Sequence, residues 1–149
     1  MTEVEFHFNV GDKLAYSCRL LRKARAGGSK LLVTGEPELL AQLDQLLWTF
    51  SGPEFLPHCQ SDADPLTVAT SPVMLAPSPA DPAFNAQNYG VLVNLGYGVP
   101  ENFERFERFI EVVSSMDDDR LAARARWKHY KDRGYALKQH DLAASAQGA

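Results

Sequence analysis

Short apolar segments alternate along this chain with stretches of helical periodicity, and that alternation constrains the fold more than any other feature. Leu31-Leu32-Val33 and Val91-Leu92-Val93 are compact apolar runs bounded by Gly and Asn, the form of strands buried on both faces. Glu3 to Asn9 instead alternates. Val4, Phe6 and Phe8 fall on one side, and Glu3, Glu5, His7 and Asn9 on the other, so a strand with one wet face is expected. Between the first two strands, Asp12 or Gly11 can start a helix from Lys13 to about Ala26, with Gly27-Gly28 to end it. After the second, Pro37 opens an amphipathic helix in which Leu39, Leu40, Leu43, Leu46, Leu47 and Phe50 recur. Strand and helix in turn predict a mainly parallel sheet with helices on both faces, a three-layer α/β/α sandwich.

The rest of the chain is less regular. Glu54 to Pro57 reads as a short extended piece, Thr67–Ala69 and Val73–Leu75 as a further strand, and residues 76–88 as a Pro- and Asn-rich loop. Pro100 opens a predicted helix to about Val113, with Phe103, Phe106, Phe109 and Ile110 inward. Asp117-Asp118-Asp119 start a last helix as caps and dipole partners, and Gly134 ends it. A single domain over 1–138 and a flexible tail over 139–149 are expected.

The 149 residues suffice for a core without disulfides or a structural metal. A net charge of −4 gives no general attraction to nucleic acid or anionic membrane. No apolar run reaches the roughly 20 residues of a membrane span, and the acidic N-terminus is unlike a signal peptide. A cytoplasmic protein is expected, with Cys18 and Cys59 as free, buried thiols.

Chemical motifs are missing where the fold class would place them. Gly96-Tyr97-Gly98 lies between strand and helix, but Glu101 stands where a dinucleotide fingerprint needs its third glycine. Gly27-Gly28-Ser29-Lys30 precedes a strand, which rules it out as a phosphate loop. His7, His58, His129 and His140 show no metal-ligand spacing, and no G-x-S-x-G occurs. No catalytic residue, metal or cofactor is therefore expected.

Two features remain. Residues 120–138 hold seven of the fifteen basic side chains, and Arg120, Arg124, Trp127 and Lys131 share a narrow helical arc, with Lys128 at its border. This pattern fits a solvated face with a half-buried tryptophan. It also fits a groove in which arginines fork carboxylates beside an aromatic anchor, or stacking on single-stranded nucleic acid, which the net negative charge disfavours. In the second helix, Trp48 sits off the leucine stripe, close in sequence to Phe55, as a second core or as an exposed patch for a protein partner.

The run LDQLLW followed by F-L-P-H, and the closing R-x-R-W-K-x-Y-K-x-x-G from Arg124 to Gly134, resemble the signatures of the DNA polymerase III chi subunit family. The likeness spans about Phe6 to Leu137. It implies a non-catalytic adaptor that joins the clamp loader, through its psi subunit, to the acidic C-terminal tail of single-stranded-DNA-binding protein, with DNA engaged only indirectly. By that resemblance, Trp48 and Phe55 face psi. Met116, Arg120, Arg124, Trp127, Lys128, Lys131, Gly134 and Leu137 form the tail-binding site. Lys131 stands where an arginine also occurs, and lysine cannot fork a carboxylate. The rival classes are a direct single-stranded nucleic-acid binder and a nucleotide-binding α/β enzyme.

Overall fold

The computed structural model describes residues 2–50, 58–60, 72–77 and 89–143. Seven strands form one sheet: β1 (Glu3–Val10), β2 (Leu31–Thr34), β3 (Cys59–Gln60), β4 (Val73–Leu75), β5 (Val91–Asn94), β6 (Arg108–Ser114) and β7 (Ala136–Asp141). Their order is β3-β4-β2-β5-β6-β1-β7, and every pairing is parallel. Among the described residues three α-helices accompany them: α1 (Lys13–Ala26), α2 (Pro37–Phe50) and α3 (Asp117–Asp132).

The strand order determines where each helix lies. The steps from β1 to β2 and from β2 to β3 both run toward the β3 edge. Right-handed crossovers therefore put α1 and α2 on one face. The step from β6 to β7 runs the other way, which places α3 on the opposite face, and it must pass over β1, the strand between them. Two cores result. Cys18 and Leu21 of α1 and Leu40, Leu43 and Leu47 of α2 pack on Leu31, Val33, Val93, Ile110 and Val112. Ala123 and Tyr130 of α3 pack on Val4, Phe6, Leu32, Leu92, Phe109 and Val113.

Local chemistry sets the element ends. Asp12 accepts a bond from the Ala15 amide at 3.1 Å and caps α1, as expected. Gly134 follows α3 at φ 83, a left-handed conformation glycine tolerates, and turns the chain into β7. The cap expected of the three aspartates is not formed: the N-cap residue of α3 is Met116, without a side-chain cap bond. The aspartates lie in the first turn, where Asp119 is buried and its Oδ2 accepts from the Ser114 amide at 2.8 Å and from Lys13 Nζ at 3.0 Å. It ties α3 to the end of β6 and the start of α1.

Three further expectations are corrected. The helix predicted from Pro100 to Val113 is a single 3-10 turn, Phe103–Arg105, followed by strand β6. Phe103, Phe106 and Phe109 share a core because a tight turn runs into a strand, an i, i+3 spacing that mimics a helix. The second correction concerns β1, whose polar face is wet only toward its ends: Glu5 and His7 are each only 6% exposed, whereas the Glu3 side chain is 43% exposed. Finally, β7 continues to Asp141, so residues 139–141 belong to the sheet rather than to a tail. Phe55, Thr67–Ala69 and most of the 76–88 loop lie outside the described residues.

β1 also carries a bulge. His7 pairs with Val112 but Val10 with Ser114, so β1 uses three steps where β6 uses two. Asn9 sits within the bulge at φ 60, a left-handed conformation asparagine reaches more readily than most residues. Its side chain donates to Asp141 Oδ1 at 2.9 Å.

Candidate functional site

The path of α3 across β1 opens a recess of about 320 Å³, lined by Phe6, Phe8, Asn9, Val113, Arg120, Ala123, Arg124, Trp127 and Gln139. Its floor is the aromatic side of β1 and its wall is α3 from Arg120 to Trp127. Trp127 stands edge-on to Phe6, with ring centroids 5.1 Å apart, and is half-buried. Arg120 and Arg124 are exposed at the rim. Arg120 stands 3.9 Å from Asp117, whereas Arg124 has no carboxylate partner among the described residues.

What aims these side chains is a buried network on the neighbouring arc of α3. Arg126 Nε donates to Glu111 Oε2 of β6 at 3.0 Å, and the Tyr130 hydroxyl donates to the same oxygen at 2.6 Å. Asn94 of β5 donates to Glu111 Oε1 at 2.8 Å, and Arg126 Nη1 donates to the Tyr97 carbonyl at 2.7 Å. Burial pushes the Glu111 carboxyl up, against the charge of Arg126. With Arg126 and Tyr130 pinned inward, 100° per residue carries Arg120, Arg124 and Trp127 to the recess.

The other residues singled out in the sequence fall around this site. Lys128 and Lys131 are exposed on α3 but do not line the recess. Met116 is 65% exposed just before α3. Leu137 packs against the core beneath α3, and Gly134 forms the turn into β7. The recess also draws on Phe6, Phe8, Asn9, Val113 and Gln139, which sequence reasoning did not assign to it. The alternation of β1 had put Phe6 and Phe8 on one face; that α3 covers them only in part depends on strand order. On the opposite face, Trp48 is 59% exposed near the end of α2, its ring 5.1 Å from that of His58.

A second recess, about 240 Å³, lies at the carboxyl ends of β2 and β5, where α/β sheets commonly hold nucleotides. Gly35, Glu36, Asn94, Gly96 and Glu101 are among its lining. Two carboxylates there oppose a phosphate, and Gly96 spends its amide on Asn94 Oδ1 at 2.9 Å.

A cluster that linear spacing concealed lies under α1. Glu5 accepts from Arg108 and stands 3.2 Å from His140 Nε2. His7 Nδ1 is 2.5 Å from the Tyr16 hydroxyl, and its ring centroid is 4.6 Å from that of His140. Burial, then the neighbouring His140, lowers the His7 pKa to about 4, so this ring is neutral at pH 7. Burial would raise Glu5, but Arg108 and His140 outweigh it and hold the carboxyl below its ordinary value.

Fold and recess together define a parallel α/β domain with an arginine-rimmed aromatic cleft outside the usual nucleotide crevice. Comparison with known proteins makes the assignment specific. Residues 1–138 match the family model described as DNA polymerase III chi subunit, HolC. The chain is 32% identical to the DNA polymerase III subunit chi of Pseudomonas aeruginosa over 147 residues, 95% of this chain and 98% of the relative. It is 28% identical to that of Haemophilus influenzae over 131 residues, 85% of each. Among solved structures, the C-terminal domain of S. cerevisiae Dbp5 bound to Gle1 and IP6 superposes with a TM-score of 0.60. That match covers 95% of this chain and 90% of the other at 10% identity, a likeness of fold alone. The chain belongs to the DNA polymerase III chi subunit family. Its role is that of an accessory subunit in DNA replication, without catalytic activity of its own. Among the described residues, no helix is long and apolar enough to cross a membrane.

Proposed function

We propose that this chain is a cytoplasmic adaptor that binds the acidic C-terminal tail of single-stranded-DNA-binding protein in the recess beside α3. Its opposite face, at Trp48, binds the psi subunit of the clamp loader, and Phe55 is a second contact for the same partner. DNA is reached only through the tail's owner. The observation that carries this reading is the recess itself: apolar rings from β1 and α3 beneath a rim holding Arg120 and Arg124. An acidic peptide ending in a phenylalanine carboxylate suits that arrangement. Trp127, Phe6 and Phe8 receive its ring, with Met116 and Leu137 near the margins. Arg124 forks the terminal carboxylate, and Lys128 and Lys131 attract the acids upstream. Gly134 serves by turning β7 into place.

Titration of free-acid and amidated tail peptides against the full chain tests the reading. Arg124→Ala should cost about 2–3 kcal/mol of binding, and amidation should mimic it, since each removes one half of the same charged bond. Lys131→Ala should cost less, and the loss should shrink as salt rises. Equal affinity of wild type for the two peptides would sink the carboxylate assignment. Tight, salt-sensitive binding of a bare oligonucleotide without peptide binding would replace the adaptor with a direct nucleic-acid binder.

A further inference from the structure

We propose that Glu5, His7 and His140 form a binding site for one divalent transition-metal ion of the Zn²⁺ type, on the sheet face opposite the peptide recess. The three come from the paired strands β1 and β7, where His7 stands directly across from His140 in the register. Each offers one ligand atom, and these atoms all lie within 4.8 Å of one another. Two imidazoles and one carboxylate make a donor set used by open zinc sites.

The independent mark is His7 Nε2. It is buried, the residue is 6% exposed, and this nitrogen has no hydrogen-bond partner. A buried polar atom without a partner carries a desolvation cost, and a bound cation would offset it. The other nitrogen is already arranged as a metal-bound histidine needs: Nδ1 can donate to the Tyr16 oxygen at 2.5 Å, which leaves the Nε2 lone pair for the ion. Glu5 divides its oxygens in a compatible way. Oε2 takes Arg108, while Oε1 stands 3.2 Å from His140 Nε2, so the ion would replace the proton between them. Tetrahedral coordination brings ligand atoms to about 3.4 Å apart, a closure that the exposed His140 side chain can supply by rotation. Positive charge from Arg108 and Lys23 reaches His7, which moderates affinity. The ion would fasten the edge strand β7 to β1 without touching the recess, since Phe6 and Gln139 face the other way.

The test is a Zn²⁺ titration of the chelator-stripped full chain against a chromophoric competitor, with wild type, His140→Ala, His7→Gln and a Cys18→Ser/Cys59→Ser double variant. Wild type and the double variant should bind one equivalent. His140→Ala, at an exposed side chain, should remain folded by circular dichroism and bind about tenfold or more weakly. His7→Gln should do likewise. Cobalt in place of zinc should give visible ligand-field bands without thiolate charge transfer, and β7 amides should exchange more slowly when zinc is bound. Absence of a one-to-one complex in wild type, unchanged affinity in His140→Ala, or loss of binding in the cysteine double variant would overturn the proposal.

Discussion

The face under α1 and α2 is held mainly by aliphatic packing, with the Glu5–His7 cluster toward its β7 edge, whereas the face under α3 is held by aromatic rings around a buried ion pair. Leu21, Leu31, Leu40, Leu43 and Leu47 on the first face are interchangeable in kind and tolerate small rotations of their helices. On the second, Glu111 accepts directed bonds from Asn94, Arg126 and Tyr130. Those bonds have one good arrangement, so α3 is fixed in rotation about its own axis. The face with the peptide recess is thus the one whose helix is oriented by bonds to a fully buried carboxylate. The lesson is that placing a binding arc demands more than burying a helix.

Arg126→Ala should be the most damaging change. It strands a buried carboxylate and should lower stability by about 3–5 kcal/mol in urea unfolding. A loss under about 1 kcal/mol would mean that the aromatic packing alone holds α3. Leu43→Ala, on the opposite face, should cost about 2–4 kcal/mol through the cavity it leaves, with tail-peptide affinity unchanged. A parallel fall in affinity would show that the faces are coupled. Trp127→Ala should cost only about 1 kcal/mol of stability, from its edge contact with Phe6, but about 2 kcal/mol or more of peptide binding. Equal losses would make the ring structural. Trp48→Ala, at a largely exposed site, should change stability by about 0.5 kcal/mol or less in the same urea assay. Smallest of all should be the response of Cys18 to alkylation. Burial pushes its thiol up to about 11, so mass spectrometry should find it unmodified in mildly alkaline buffer until the chain is unfolded.

Much of this fold is legible in the sequence because its signals are local. The Asp12 cap, the Gly27-Gly28 stop and the leucine stripe after Pro37 mark α1 and α2 directly. What escaped is what depends on neighbours. β6 is buried on both faces, so Phe109-Ile110-Glu111-Val112-Val113 lacks the alternation that would distinguish it from a buried helix. Glu5 and His7 look wet in one dimension because Arg108, Tyr16 and His140, their partners, lie far along the chain or on another element. The site was half legible for the same reason. The spacing of Arg120, Arg124 and Trp127 is a property of one helix, but Phe6 and Phe8 join them only because α3 must pass over β1.

The bulge at Asn9 bears on how the chain can change length. From Glu3 to Phe8, odd positions carry the carboxylate and histidine beneath α1, and even positions carry the rings of the recess. Val10 breaks that parity: an even position, it packs in the core with α1. The extra residue at the bulge is what resets the count. Gain or loss of one residue there leaves every side chain before it on its own face. The same event anywhere from Val4 to His7 would exchange the faces and set a buried acid among the phenylalanines. Single-residue length variation in this strand is therefore expected to gather at position 9. A library of one-residue deletions across 3–10, sorted for folded protein, should spare that position and deplete the ones before it.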